Sequence, residues 1–175
     1  SGLGQHVDIS SPDSMKVVVA NPAMNLHVSG KAPTRLGNAH PNIAPCKVFA
    51  AADGHVIIAC GNDRQFASLC QVLGSEDLTR DPAFATNPDR VENRKALAAV
   101  LQEKLMIWCK AQCFAALEQA VIPAGPINTV EEALADPQIV ARGIQIAPEG
   151  MPGLRSPLRF TRSGLVLDRA APQKH

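Results

Sequence analysis

The stretch RLGNAHPNIAP, Arg35 to Pro45, gathers polar and conformationally special residues where the surrounding chain is rich in Ala, Val and Leu. Pro41 and Pro45 limit backbone freedom, and Gly37 permits backbone geometry or close approach denied to other residues. Asn38, His40 and Asn42 supply donors and acceptors without formal charge. Two readings stay open. The segment is a solvated surface loop, or a stiff loop presenting polar groups to an uncharged partner such as a thioester carbonyl. A phosphate cradle would call for more Gly amides or more Lys and Arg.

Other chemistry-bearing residues are sparse. The chain has no GxSxG elbow, P-loop, GxGxxG after a strand or HExxH. Its cysteines, Cys46, Cys60, Cys70, Cys109 and Cys113, are odd in number and show neither CxxC spacing nor zinc-site spacing to His, so no metal site or disulfide framework is expected. Asp63 opens GNDRQF. A carboxylate there is stabilised by the unpaired N–H groups of a helix start. Arg35 suits a phosphate or a carboxylate, and equally a solvated surface.

The elements that must position these groups follow from pattern. HVDIS (6–10) alternates like a strand, and the segment after it starts a helix with Ser11 as N-cap and Pro12 at its first position, broken near Pro22. CKVFAAADGHVIIAC reads as a hairpin around Asp53-Gly54. Asn62 and Gln65 stand in capping-box spacing before a helix whose inner face is Phe66, Leu69, Cys70 and Leu73, ended by Gly74. Two helices broken near Lys110 fill 91–122, and Thr129 with Glu132 forms a second capping box. IQIA and SPLRF are expected as short strands. The order implies an α+β fold, a two-layer small domain in which the hairpin and short strands are covered by helices. Residues 1–32 read as a connector from another domain, 33–165 as the small domain and 166–175 as a frayed or truncated tail.

With 175 residues and a formal charge of +1, the chain can bury a core without staples and gives no electrostatic case for nucleic acid or membrane partners. It has no 18-residue apolar run, and its start lacks the basic and apolar regions of a signal peptide. A cytoplasmic protein is expected.

The segments GLGQHVDIS, GKAPTRLGNAHPNIAP, FAAADGHVIIACGNDRQFASLCQVLG, NRKAL, IPAGPINTVEEALADPQIVARG and SPLRF together resemble the family III CoA-transferases, the group of formyl-CoA transferase and the carnitine CoA-transferases. The resemblance implies transfer of CoA from an acyl-CoA to a small carboxylic acid through aspartyl anhydride and aspartyl-CoA intermediates. A CoA thioester is then a substrate, no cofactor is permanently bound, and complete family members form interlocked homodimers. By the same resemblance the nucleophilic Asp and a Rossmann-like large domain lie upstream of Ser1, which makes the chain an inactive fragment. An acyl-CoA racemase fragment and a non-catalytic α+β binding module are the alternatives. The resemblance makes Arg35, Gly37, Asn38, Ala39, His40, Pro41 and Asn42 an active-site loop, with His40, Pro41 and Asn42 where formyl-CoA transferase has glycines. His40 and Asp63 are the catalytic candidates, Asp63 falling where α-methylacyl-CoA racemases carry an active-site Glu.

Overall fold

The computed structural model describes residues 2–169. They divide into two compact units that meet in sequence between Gly125 and Pro126. In the first, α1 (Ser11–Val18) and α2 (Ala20–Ser29) meet at Val19, which ends one helix and precedes the other. The N-cap of α1 is Ser10, one residue earlier than its sequence suggests, and Pro22 sits in the first turn of α2, where its missing N–H costs nothing. The strand expected at 6–10 does not form. Alternation alone cannot make a strand where no neighbouring strand satisfies the backbone. Neither helix buries a residue.

The hairpin holds the core of this unit. Strand β1 (Cys46–Ala51) pairs antiparallel with β2 (Gly54–Ala59), with Ala51 opposite Gly54, so the turn residues are Ala52 and Asp53. The turn is fastened from outside. Ala52 N–H donates to the Trp108 carbonyl at 2.9 Å, and Asp53 Oδ1 accepts from Lys110 N–H at 2.6 Å. Asp53 thereby serves the first turn of α6 (Lys110–Gln119), whose own N-cap, Cys109, makes no side-chain bond.

Helix α3 (Asp63–Val72) starts with half of the expected capping box: Asn62 Oδ1 accepts from Gln65 N–H, while Gln65 Oε1 accepts from Gly61 N–H and not from the N-cap itself. Phe66, Leu69 and Cys70 are buried, and Gly74 takes φ 58° just beyond the helix. Helices α4 (Asn87–Glu92) and α5 (Arg94–Leu105) follow, with Leu97, Leu101 and Leu105 as the inner stripe of α5. These side chains join Phe49, Val56 and Ile58 of the hairpin and Cys113 and Leu117 of α6 in one core.

Strand β3 (Ala124–Ile127) extends the sheet to the order β1-β2-β3. Its Pro126 hides it from pattern reading, yet a proline is tolerated on an edge strand. The opposite edge, β1, is blocked by side chains rather than by a strand. Asn38 Oδ1 accepts from Val48 N–H, and Gln102 of α5 both accepts from Ala50 N–H at 3.0 Å and donates to its carbonyl at 2.8 Å.

The second unit contains α7 (Val130–Ala135), α8 (Pro137–Ala141) and a two-stranded sheet. The Thr129–Glu132 capping box forms as expected. In that sheet β4 (Gln145–Ile146) pairs with β5 (Gly153–Leu154), so the strand expected at SPLRF is displaced to the residues just before it. The nearer pair closes a shorter loop. Of the expected tail, 170–175 lie outside the described residues.

All five cysteines are free. Burial pushes the Cys60 thiol up to about 12 and the Cys70 thiol up to about 11, and raises Cys46 and Cys113 as well. Folding thus favours the protonated thiols. Their contribution to stability is complete below the ordinary thiol value of 9.0 and is lost as the pH climbs toward about 12. Denaturation midpoints should therefore fall progressively above pH 9.0. At pH 8 under native conditions an aromatic disulfide reagent should modify exposed Cys109 first, and Cys60, Cys70 and Cys113 only after unfolding.

Candidate functional site

The polar loop is built around two arginines. Gly37 takes φ 64° in a turn closed by Ala39 N–H on the Leu36 carbonyl at 3.2 Å. A Cβ there would meet nothing within 4 Å, so the glycine serves the left-handed backbone and not a close approach. From His40 onward the chain is clamped. His40 N–H donates to the Cys46 carbonyl at 2.9 Å. Arg94, in the first turn of α5, donates from Nη1 to the His40 carbonyl at 3.0 Å and from Nη2 to the Pro41 carbonyl at 2.7 Å. Asn87 of α4 donates to the Asn42 carbonyl and accepts from Ala44 N–H.

Side chains of α2 reach the same loop. Asn25 and Asn42 exchange amide hydrogen bonds at 2.9 and 3.0 Å. His40 Nδ1 accepts from Asn42 N–H at 3.1 Å, so a neutral ring carries its proton on Nε2. That nitrogen lies 3.5 Å from the Asn21 amide. The ring is held by its own loop through Nδ1, and Nε2 faces the Asn21 side-chain amide of α2.

Arg90 of α4 is the second organising residue. Fully buried, it donates from Nε to the Ala44 carbonyl at 2.7 Å and from Nη1 to the carbonyls of Phe84 and Ala85 at 3.1 and 3.4 Å. Nη2 meets Asp63 Oδ1 at 2.7 Å, and the guanidinium lies 4.4 Å from the centre of the Phe66 ring. The Asp63 side chain remains 60% exposed, so its carboxylate is both ion-paired and reachable from solvent. The sequence placed Asp63 correctly at a helix start but gave no sign of Arg90, which in NPDRVENR looks like one charge of a solvated face. Only the three-dimensional meeting of α3, α4 and the loop identifies it.

Between the loop, β1 and the start of α5 lies a cavity of about 330 Å³. Arg35, Lys47, Arg94 and Lys95 bring positive charge to it, Leu36, Ile43, Phe49 and Leu97 apolar surface, and no carboxylate lines it. Ala39 and His40 stand on its wall, whereas Asn38 faces the β1 edge and Asn42 the α2 side. Asp63 is not among the lining residues; it is linked to the cavity through Arg90 and Ala44. Among the described residues no group of His, Cys, Asp and Glu could hold a metal ion, and no helix is long and apolar enough to cross a membrane.

The model of CoA-transferase family III matches residues 1–175. The chain belongs to that family. A succinate–glutarate CoA-transferase of Agrobacterium fabrum is 42% identical over 99% of this chain and 44% of its own length. An acetyl-CoA:oxalate CoA-transferase of Acetobacter aceti is 40% identical over 87% of this chain and 40% of its own length. The crystal structure of a CAIB/BAIF family protein from Brucella suis superposes with a TM-score of 0.82 at 51% identity, covering 98% of this chain and 46% of that one. The chain thus spans less than half the length of these relatives.

These findings correct the reading drawn from sequence resemblance. The family model matches all of residues 1–175, the expected connector at 1–32 together with 33–165. A partial small domain defined by what it lacks, and an inactive fragment, are therefore not sustained as the recognition, fold or function of this chain. The α+β architecture is that of the family itself. Against the expectation that the nucleophilic Asp lies upstream of Ser1, the chain itself presents a candidate carboxylate, Asp63 on Arg90. The family model and both the Agrobacterium and Acetobacter relatives carry the name of CoA-transferases.

Proposed function

We propose that this protein takes part in moving CoA between an acyl-CoA thioester and a small carboxylic acid, with dicarboxylic acids such as succinate and glutarate as the favoured class. The observation that carries this reading is the family match across 1–175, joined to a cationic, carboxylate-free cavity beneath the loop. The names of relatives support the acid class: besides the Agrobacterium protein, a human relative 30% identical over 85% of this chain is a succinyl-CoA:glutarate CoA-transferase.

In this reading the loop is a platform more than a lid. Arg94 and Asn87 hold its backbone, and the His40 ring donates from Nε2 to an acyl oxygen by exchanging its long contact with the Asn21 amide. Arg35, Gly37, Asn38, Ala39, Pro41 and Asn42 give the loop its shape and its neutral polar groups. Asp63 is the candidate carboxylate. Its exposed side can meet a reacting group, while its bond to Arg90 ties it to the loop through the Ala44 carbonyl. A cytoplasmic setting and a homodimer belong to the same proposal, the free thiols fitting a reducing compartment.

The test compares CoA exchange by the complete gene product with that of its His40→Ala and Asp63→Asn variants, each checked for a native denaturation profile. His40→Ala should lower kcat with the fold intact. An unchanged rate removes the histidine from the reaction. Asp63→Asn separates a reacting carboxylate, whose loss abolishes exchange, from a positioning one, whose loss only slows it.

A further inference from the structure

The cavity under the loop has a charge pattern that its structural contacts do not account for. Arg94 spends its guanidinium on the carbonyls of Val91, His40 and Pro41, which makes it part of the scaffold. The other three cations are not used in this way. Arg35 and Lys95 are exposed, and Lys47 is half-buried, its Nζ lying 5.5 Å from the centre of the Phe49 ring. The ion pairs of Lys16 with Asp13 and of Arg90 with Asp63 involve none of these three side chains. Lys95 also occupies the first turn of α5 beside Arg94, at the helix end where a cation is disfavoured, and that turn holds no acidic residue.

The wall beneath these charges is apolar. Leu36, Ile43, Phe49, Leu97 and Ala98 line it. At about 330 Å³ the space falls at the lower end of the range, roughly 300–1,000 Å³, seen for small-molecule sites. Its chemistry suits a short hydrocarbon segment ending in a carboxylate.

We propose that this cavity seats the distal carboxylate of a dicarboxylic acyl group, with Lys47 and Lys95 as its principal charge partners and Arg35 at the rim. The inference rests on the acid-transfer reading above and deepens it by naming the residues that tell a dicarboxylic acid from a monocarboxylic one. An apolar floor holds the methylene chain in either case. The lysines add charge-assisted hydrogen bonds only where a second carboxylate exists.

The experiment is calorimetric titration of the complete gene product with glutarate, butyrate and inorganic phosphate, which reads binding without requiring turnover. Glutarate should bind at least about tenfold more tightly than butyrate, the gain expected of a charge-assisted contact. Lys47→Gln and Lys95→Gln should each weaken glutarate by about tenfold, leaving butyrate unchanged. Lys47→Arg should keep most of the affinity, and Lys104→Gln, elsewhere on α5, should have no effect. Equal affinity for glutarate and butyrate, or glutarate binding indifferent to both Lys→Gln variants, would overturn the assignment. So would phosphate binding more tightly than glutarate at the same lysines, because the site would then belong to a phosphate of the thioester. Absence of CoA transfer with these binding differences intact would refute the proposed activity and spare the site.

Discussion

Replacing Arg90 by Ala should lower the stability of the first unit by about 3–5 kcal/mol, measured by chemical denaturation at neutral pH. The guanidinium is fully buried and donates to the carbonyls of Ala44, Phe84 and Ala85. Truncation leaves these acceptors without their donor in a space water enters poorly, and opens a void against Phe66. The ion pair itself is the lesser part of the effect. Asp63 is 60% exposed, so solvent can replace its partner. Asp63→Asn should therefore cost about 1–2 kcal/mol, well short of the arginine variant. Equal losses would mean that the charge pair, and not the carbonyl cluster, holds the loop to α4.

Phe66→Ala should be of similar size, about 3–5 kcal/mol, as expected for an aromatic ring removed from a packed core. Phe66 is 1% exposed on the inner face of α3, within the core, and its ring also meets the Arg90 guanidinium. Part of its contribution, about 0.5–2 kcal/mol, is attraction between cation and ring face. A double-mutant cycle on Phe66→Leu and Arg90→Met isolates that share by fluorescence-detected unfolding. Additive losses would reduce the contact to simple packing. Coupling would show that core and loop stabilise one another.

The same two residues mark the limit of what the sequence discloses. Helix α3 was legible because its signals are local: Asn62 and Gln65 at its start, Phe66, Leu69 and Cys70 at helical spacing, and Gly74 at its end. The hairpin was legible for the same reason, although its turn lies one residue earlier than Asp53-Gly54 suggests. Long-range contacts decide the rest. Pro126 disguises β3, the alternation at 6–10 has no strand to pair with, and β4 finds Gly153–Leu154 instead of the more apolar SPLRF.

The site divides along the same line. The composition of RLGNAHPNIAP drew attention to His40 and its neighbours, and a carboxylate at position 63 was visible as a helix-start residue. Arg90 and Arg94 stood among charges that resemble a solvated helix face, and their roles depend on backbone carbonyls that no side-chain pattern encodes. Lys47 and Lys95 lie on different elements, so only folding places them around one cavity. The polar loop is stiffened by contacts from α2, α4 and α5, and its Gly37 serves a turn. A flexible closing lid would not need so many fixed partners.

Incubating the complete gene product with succinyl-CoA and carbon-13-labelled glutarate, and following thioesters by mass spectrometry, tests the proposed transfer most directly. Labelled glutaryl-CoA should form as succinyl-CoA is consumed, with no equivalent release of free CoA, and its formation should slow when Lys47 and Lys95 are both changed to Gln. Free CoA accumulating without any labelled thioester would contradict transfer between acids and make the reaction a hydrolysis.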